Sequence, residues 1–513
     1  MSTAPLRNIE LRTTSPSNNN NNTTITTTSN DNENNDPGLT STPIDNDGPV
    51  TTLPIASNNN NITSSETPNN NNNATTSSTK PTTSSSSGKR SRSSSAKTDS
   101  YEMTPDMKEE YKRAFEALDD DKKWCLADGT RVEDVIYAYG AKCDYEQIIL
   151  SSLAHSFILD TGDKCWESVF TSSQLKEIKS TDKKALCEYD ESIKNMFSEL
   201  TNVIKDAYNR KLLSSSTATT TTTAISTTTT EEEEQDLLDE LWERITKSGY
   251  INPCKAYDLY WLQNTMVDIL HLYRFRVLEW VSKNGSEMDF VNRVWSMLDK
   301  VFDGIMIETR RDNGSVATTF IDNQERSVTG MTAIAAKSPS IRPDLVLYKN
   351  GVEYRVAECG KGDNEGTGKK EIVETNLHCP KVMKSMLLHA ASKCDNDKGV
   401  TRALRIIGFT HFDLRMKVLV MDNPNGYVCR IRSTPQYEIS TIPSHMSSGL
   451  FPILKLTLKS KLTVQSSIKT VHDYLILEKN NEPDVEYIMD ENRERLVLPR
   501  LQKSPNKKLK TSV

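Results

Sequence analysis

The stretch RPDLVLYKNGVEYRVAECGKGDNEGTGKKEI, residues 342–372, decides the fold that this sequence predicts. The segments DLVLY and EYRVAE are rich in the β-branched and aromatic residues that favour strands. Between them lies Asn350-Gly351, a pair typical of a two-residue hairpin turn. Asp344 begins the first segment and Glu358 ends the second. The sequence therefore predicts a hairpin with one carboxylate on each strand.

Two registers of this hairpin stay open at the level of the sequence. With a two-residue loop, Lys349 pairs with Val352, and the side chains of Asp344 and Glu358 point to opposite faces. With a three-residue loop, Lys349 pairs with Glu353 instead, and Asp344 lies directly opposite Glu358. Only the second register allows the two carboxylates to share a cation.

Helices and further strands are predicted on both sides of the hairpin. SEMDFVNRVWSMLDK begins with Ser286 and Asp289 at the spacing of a capping box, and Glu287 lies in its first turn. A second helix is predicted from about 369 to 393, with an interruption or kink near Pro380. Three strand-like runs follow it: ALRIIGFTHF, MKVLVMD and GYVCRIR.

This order of elements, together with Pro343-Asp344 and the residues from Glu358 to Lys361, resembles the PD-(D/E)XK nuclease superfamily. The resemblance covers about residues 284–435. It implies an α+β, restriction-endonuclease-like fold, in which a mixed sheet is flanked by helices. The stretches DGTRVEDVIYAYG, HSFILD, SEMDF, AECGKGDNEGTGKKE and GFTHFDLRMKVLVMDNPNGYVCRIR together resemble a family of uncharacterised fungal proteins, which brings no established activity.

The superfamily resemblance implies a reaction and a set of site residues. The reaction is Mg²⁺-dependent phosphodiester hydrolysis of DNA or RNA, because a divalent cation polarises the phosphate and lowers the pKa of an attacking water. By this resemblance Asp344 and Glu358 hold the Mg²⁺, and Lys361 acts on the attacking water. Glu287 is the additional carboxylate from the helix.

The sequence departs from the superfamily pattern at the lysine. The pattern places one residue between the acid and the lysine, whereas Cys359 and Gly360 both precede Lys361 here. A bulge at Gly360 would restore the lysine to the face of the acid. Alternatively, Lys369 or Lys370 at the start of the next helix takes its role. Without either, we expect an inactive relative that only binds nucleic acid or protein.

Composition divides the chain into five segments. They are a disordered arm rich in Asn, Ser and Thr (1–100), a mostly helical module (101–213), a low-complexity linker of Thr and Glu (214–235), the nuclease-like domain with its N-terminal helices (236–478) and a basic tail (479–513). We expect the first segment to be disordered because it has too few apolar side chains to offset the entropy of ordering.

The distribution of charge indicates which partners and which cellular compartment the sequence favours. Residues 101–283 carry 22 Lys and Arg against 34 Asp and Glu, a net of −12, whereas residues 284–478 carry 26 against 22, a net of +4. The split suggests that the acidic helical module recruits protein partners.

The nine cysteines form no CxxC pair, which favours reduced thiols, and no apolar run is long enough to span a membrane. The basic clusters KRSR (89–92) and RLQKSPNKKLK (500–510) predict a nuclear address.

Overall fold

The computed structural model describes residues 104–142, 152–217, 228–324, 340–362, 368–480 and 493–502. The predicted disordered arm and most of the basic tail lie outside these described residues. Within them, every helix is too short or too polar to span a lipid bilayer.

The described strands form one eight-stranded mixed sheet. They are β1 (Ile158–Asp160), β2 (Glu308–Arg311), β3 (Leu345–Lys349), β4 (Val352–Gly360), β5 (Ile406–Phe412), β6 (Arg415–Asp422), β7 (Cys429–Ser433) and β8 (Tyr437–Glu438). Their order is β1-β7-β6-β5-β4-β3-β2, and β8 pairs with β6. The pairs β4–β5 and β1–β7 are parallel, and the other pairs are antiparallel. The predicted α+β class with a mixed sheet is therefore confirmed.

Helices cover the sheet. They are α1 (Pro105–Glu116), α2 (Val132–Lys142), α3 (Ser172–Ser180), α4 (Glu191–Thr217), α5 (Thr228–Thr246), α6 (Tyr257–Arg274), α7 (Val277–Asn284), α8 (287–300), α9 (Val316–Asp322), α10 (369–392), α11 (Lys398–Ala403) and α12 (Leu450–Asn480). Short 3₁₀ turns lie at Asp120–Lys122, Lys164–Ser168, Val301–Ile305 and Pro443–His445. β5 is buried along its whole length, which explains why its sequence is almost continuously apolar.

The β3–β4 hairpin has the two-residue loop that Asn350-Gly351 predicts. Both residues have positive φ, 52° and 85°, as a tight hairpin turn of the primed type requires. Lys349 pairs with Val352 across the loop. Gly351 adopts this backbone without the steric cost that a side chain would add.

A bulge further along the hairpin changes the register that this loop alone would impose. Tyr354 has no partner on β3, so the pairing shifts by one residue. Leu345 then pairs with Ala357, which places Asp344 beside Glu358. The prediction that the carboxylates meet only across a three-residue loop was wrong, because the bulge provides the same offset.

Two helices that flank the hairpin each contain a π-helical turn. In α8 it spans Phe290–Trp295, after the Ser286–Asp289 capping box that the sequence predicts. In α10 it spans Glu374–His378, directly before the turn that contains Pro380. Because proline has no N–H and its ring clashes with the carbonyl four residues earlier, the backbone widens there. The predicted interruption of this helix is confirmed.

Several elements differ from the sequence prediction or were not predicted. The chain forms two helices, α6 and α7, rather than one between Tyr257 and Asn284, because Arg276 adopts a left-handed conformation with φ of 51°. Helix also covers both ends of the predicted linker, since α4 continues to Thr217 and α5 begins at Thr228. The strand β2 and the helices α9 and α12 were not predicted.

The predicted helical module contributes to the same sheet. Its HSFILD run forms β1, which lies parallel to β7. Arg430 of β7 is fully buried and forms two hydrogen bonds with Asp422, at 2.9 and 2.7 Å. It also donates to the backbone carbonyls of Ile178 at 2.8 Å and Thr181 at 2.7 Å. This one guanidinium therefore connects the sheet to α3 and the residue that follows it.

Substitution of Asp422 tests this connection. Asp422→Asn should lower the free energy of unfolding by about 3 kcal/mol or more, because it leaves the charge of Arg430 buried without its counter-ion. Urea unfolding measures the loss. Asp473→Asn removes a solvent-exposed pair with Lys469 and should change stability by less than about 1 kcal/mol. Equal effects of the two substitutions would contradict the role of the buried pair.

Candidate metal and catalytic site

The candidate site lies where β3 begins and β4 ends. Asp344 immediately precedes β3 and is half-buried, and Glu358, near the end of β4, is 7% exposed. The carboxylate of Asp344 crosses to the neighbouring strand, where its Oδ2 accepts a hydrogen bond of 2.6 Å from the backbone N–H of Cys359. Residues opposite each other in antiparallel strands have Cβ atoms about 5 Å apart. The bulge at Tyr354 therefore creates an adjacent pair of carboxylates.

Both carboxyl groups are held in surroundings that disfavour their charged forms. Burial raises the pKa of Glu358 to about 9, with repulsion from Asp344 and Glu374 adding to the shift. Burial also raises the pKa of Asp344, although the N–H of Cys359 opposes the shift. No described side chain forms an ion pair with either carboxylate. The pair therefore favours a proton or a cation between its oxygens.

Glu287 and Lys370 border this pair from two different helices. Glu287 is the first residue of α8, and its Oε2 accepts a hydrogen bond of 2.8 Å from the Lys370 ammonium of α10. Burial acts to lower the pKa of Lys370, but the hydrogen bond to Glu287 and the charges of Asp344 and Glu374 raise it overall. The ammonium of Lys370 therefore lies in the field of the site carboxylates.

Lys361 has a different partner. Its Nζ donates to the backbone carbonyl of Gly285 at 2.8 Å, at the turn before α8. The β4–β5 ladder is regular through the pair Gly360–Phe412, so the ladder shows no bulge at Gly360. Lys361 consequently leaves the strand on the side opposite to Glu358. The side chain of Lys369, the other alternative, lies outside the described residues.

Gly360 occupies the position at which the superfamily pattern has its lysine, two residues after Glu358. A Cβ added there would lie 2.4 Å from the ring of Phe412. That ring is only 2% exposed and cannot swing into solvent. The structure therefore explains the displaced lysine, because an aromatic ring fills the space that a side chain at residue 360 would need.

Glu374 belongs to the same cluster, although it was not predicted as a site residue. It lies in the π turn of α10, and its charge raises the pKa of both Glu358 and Asp344. Its carboxylate also contacts His378 at 2.9 Å. Its position four residues after Lys370, on the same face of a helix, is the signal by which the sequence could have identified it.

The donor set of the pair fits Mg²⁺. This ion takes oxygen ligands, often only one or two carboxylates, and retains several waters. Asp344 and Glu358 supply such oxygens. Within the described ranges, no group of three or more His, Cys, Asp or Glu side chains has the arrangement of a metal site. The residues present therefore fit a site with two protein carboxylates rather than a closed cage.

Comparison of the chain with protein-family models, with curated proteins and with solved structures gave no match. The resemblance to the nuclease superfamily and the roles of the site residues consequently stay predictions.

Substitution of Gly360 tests the displaced lysine position. Gly360→Ala should lower the free energy of unfolding by about 1–3 kcal/mol, because the new methyl group overpacks the Phe412 ring. Thermal or urea unfolding measures the loss. Adding Phe412→Leu to the Gly360→Ala protein should recover part of this stability. If Phe412→Leu only adds its own loss, the contact does not control residue 360.

The pH dependence of stability tests the carboxyl pair. In metal-free buffer the free energy of unfolding should fall between about pH 5 and pH 9. The reason is that unfolded Glu358 loses its proton near its ordinary pKa of 4.5, whereas the folded protein retains it to about 9. One such proton contributes at most about 1.4 kcal/mol per pH unit. Urea unfolding across this range should show a shallower fall for Glu358→Gln than for the parent, and Glu308→Gln on exposed β2 should leave the fall unchanged.

Proposed function

We propose that this protein is a metal-dependent phosphodiesterase that cleaves DNA or RNA with Mg²⁺ through a PD-(D/E)XK-like site. One observation carries the proposal. The bulge at Tyr354 sets Asp344 and Glu358 side by side, largely buried, and no described side chain neutralises them by an ion pair. A buried pair of this kind is costly unless a cation or a proton joins it.

The order of the elements around the pair supports a restriction-endonuclease-like core. The α8 helix precedes the antiparallel β3–β4 hairpin, and α10 then connects β4 to the parallel strand β5. Parallel neighbours require such a crossover, usually a helix. In this arrangement the end of β4 and the starts of α8 and α10 meet at one edge, where the candidate residues lie.

Each residue has a role that follows from its contacts. Asp344 and Glu358 would hold the metal, which supplies Lewis-acid activation of the phosphate and of a water. Lys370 stabilises negative charge that develops on the phosphate, since its ammonium already lies in the field of these carboxylates. Glu287 fixes the position of that ammonium through their 2.8 Å hydrogen bond. Lys361 anchors the end of β4 to the turn before α8 through the Gly285 carbonyl.

Cleavage by site variants tests these roles. With Mg²⁺ and either single- or double-stranded substrate, Asp344→Asn and Glu358→Gln should abolish cleavage and weaken Mg²⁺ binding in calorimetry, because each removes a ligand charge. Lys370→Ala should slow cleavage by roughly 10²-fold, the usual loss for one charge-stabilising donor. It should leave Mg²⁺ affinity nearly unchanged, because a charged lysine cannot ligate a metal.

Lys361→Ala and Lys469→Ala are the matched controls for Lys370→Ala. Lys469 is highly exposed on α12, so its loss should have no effect on rate. If Lys361→Ala slows cleavage more than Lys370→Ala does, the catalytic role belongs to Lys361, as the superfamily pattern implies. A parent protein that neither binds Mg²⁺ nor cleaves any of these substrates would refute the proposed reaction.

A non-catalytic scaffold is the second candidate function. The observation that favours it is the closed position at Gly360, where the Phe412 ring excludes the superfamily lysine. In this alternative the nuclease-like core binds nucleic acid without cleaving it, and the acidic segment 101–283 recruits protein partners. Nucleic-acid binding by a parent protein that shows no Mg²⁺-dependent cleavage would select this function.

We also propose that the protein is nuclear, because of the basic clusters at 89–92 and 500–510. A nuclear location is consistent with both candidate functions. Both clusters lie wholly or mostly outside the described residues. They place several like charges close together in polar sequence, which is typical of segments that bind import receptors or nucleic acid.

A further inference from the structure

A cavity lies beside the candidate site, on the same face of the sheet. The register pairs Glu358 of β4 with Thr410 of β5, and Thr410 in turn with Lys417 of β6. Paired residues share a face, and neighbouring strands are about 4.8 Å apart. The backbone of Lys417 is therefore on the order of 10 Å from that of Glu358. The row of three residues runs from the carboxylate pair directly towards the cavity.

The cavity has a volume of about 110 Å³, is partly open to solvent, and is lined by polar and apolar groups from both layers. Thr410 and Lys417 line it on the sheet side, and Thr375 and Asn376, from the π turn of α10, line it on the helix side. Since a single water needs only about 10–15 Å³ by this measure, the space admits a group of several heavy atoms. Hydroxyl, amide and ammonium groups line it, together with the carboxylate of Glu371 and the apolar side chains of Ile372 and Met416.

The charges in the cavity leave one cation uncompensated. Arg415 lines the same cavity, but it forms ion pairs with Glu371 at 2.9 Å and with Asp413 at 3.6 Å. Lys417 is half-buried, and no side chain in the described part of the protein forms an ion pair with its ammonium. The acidic group that it influences electrostatically, Asp160, belongs to the far edge strand β1. An anion in the cavity would therefore gain a charge-assisted contact without breaking an existing ion pair.

We propose that this cavity is an oxyanion subsite that binds a phosphate group of the substrate next to the phosphate that is cleaved. Lys417 supplies the charge, and the side-chain amide of Asn376 supplies hydrogen-bond donors. The proposal rests on the function proposed above, because the row Glu358–Thr410–Lys417 connects the subsite to the carboxylate pair. The subsite would fix the substrate strand while the metal-binding pair acts on the adjoining phosphate.

Inorganic phosphate is the probe that tests the subsite without the reaction. We expect the full-length protein in metal-free buffer to bind phosphate in calorimetry. Lys417→Met should weaken this binding at least roughly tenfold, because a charged hydrogen bond is lost. Lys417→Arg retains the charge and should preserve most of the affinity. Lys112→Met, at an exposed position on α1, should bind phosphate like the parent.

Binding of a single-stranded oligonucleotide gives a second measurement. For Lys417→Met the plot of log affinity against log salt concentration should lose about 0.7 of its slope, the share of one phosphate contact. No phosphate binding by the parent, or equal losses in Lys417→Met and Lys112→Met, would overturn the subsite. Circular dichroism would show whether the Lys417→Met protein fails to fold. In that case the subsite is tested by phosphate binding to the Lys417→Arg and Asn376→Ala proteins. Phosphate binding that survives in Lys417→Arg but is weakened in Asn376→Ala supports the subsite, and binding unchanged in Asn376→Ala overturns it.

The two proposals can fail separately. Asp344→Asn should still bind inorganic phosphate, because the carboxylate pair is not part of the cavity. If phosphate binding depends on Lys417 in a protein that cleaves nothing, the subsite is supported and only the proposed hydrolysis fails. If the parent cleaves nucleic acid but binds no phosphate in the cavity, the subsite is overturned and the proposed hydrolysis stands.

Discussion

The close approach of two carboxylates, the half-buried Asp344 and the buried Glu358, is the constraint on which the rest of the site depends. Burial raises the pKa of both groups; repulsion from Asp344 adds to the shift of Glu358, and repulsion from Glu287 and Glu374 adds to that of Asp344. Their charged forms are therefore costly in the absence of a cation. The surrounding groups are consistent with this cost. The backbone N–H of Cys359 donates a hydrogen bond to the Asp344 carboxylate. The Lys370 ammonium lies near the pair and donates a hydrogen bond to Glu287. The folded chain thus maintains an arrangement that a divalent ion would stabilise.

Helix geometry places the remaining groups around this pair. The helices α8 and α10 both contain π turns, and such turns occur frequently at functional sites. In α10 the widened turn carries Glu374, and it lies directly before the turn of Pro380. The first turn of the same helix carries Lys370, so one helix supplies both an acid and a base to the site.

The lysine position departs from the superfamily pattern on which the proposed function rests. Phe412 closes the strand position at Gly360, and Lys361 turns away to bind the Gly285 carbonyl. Lys370 from the following helix pairs with Glu287 instead, and its charge acts on the two carboxylates without a direct contact. The ammonium group of a lysine is a compact charge on a flexible stem. For stabilising a phosphate, the location of the Nζ atom is therefore more important than the position of the lysine in the chain. The same argument applies to Lys417, which belongs to β6 and lines a cavity beside residues of α10.

Local sequence patterns were sufficient to predict the helices and strands around the site. Alternation of apolar residues, the Asn350-Gly351 turn and the capping box at Ser286 are local signals, and each predicted its element because neighbouring residues fix it. Those patterns did not predict whether the two carboxylates meet. That outcome depends on the bulge at Tyr354. Tyrosine is a common residue in strands, so the sequence there gives no signal of a bulge. The bulge depends on how the hairpin packs against the rest of the sheet. The choice of lysine was decided in the same way, since the Phe412 ring that excludes one position comes from a strand more than fifty residues along the chain. Contacts between distant segments leave no local pattern, and for that reason these two features could not be predicted from the sequence.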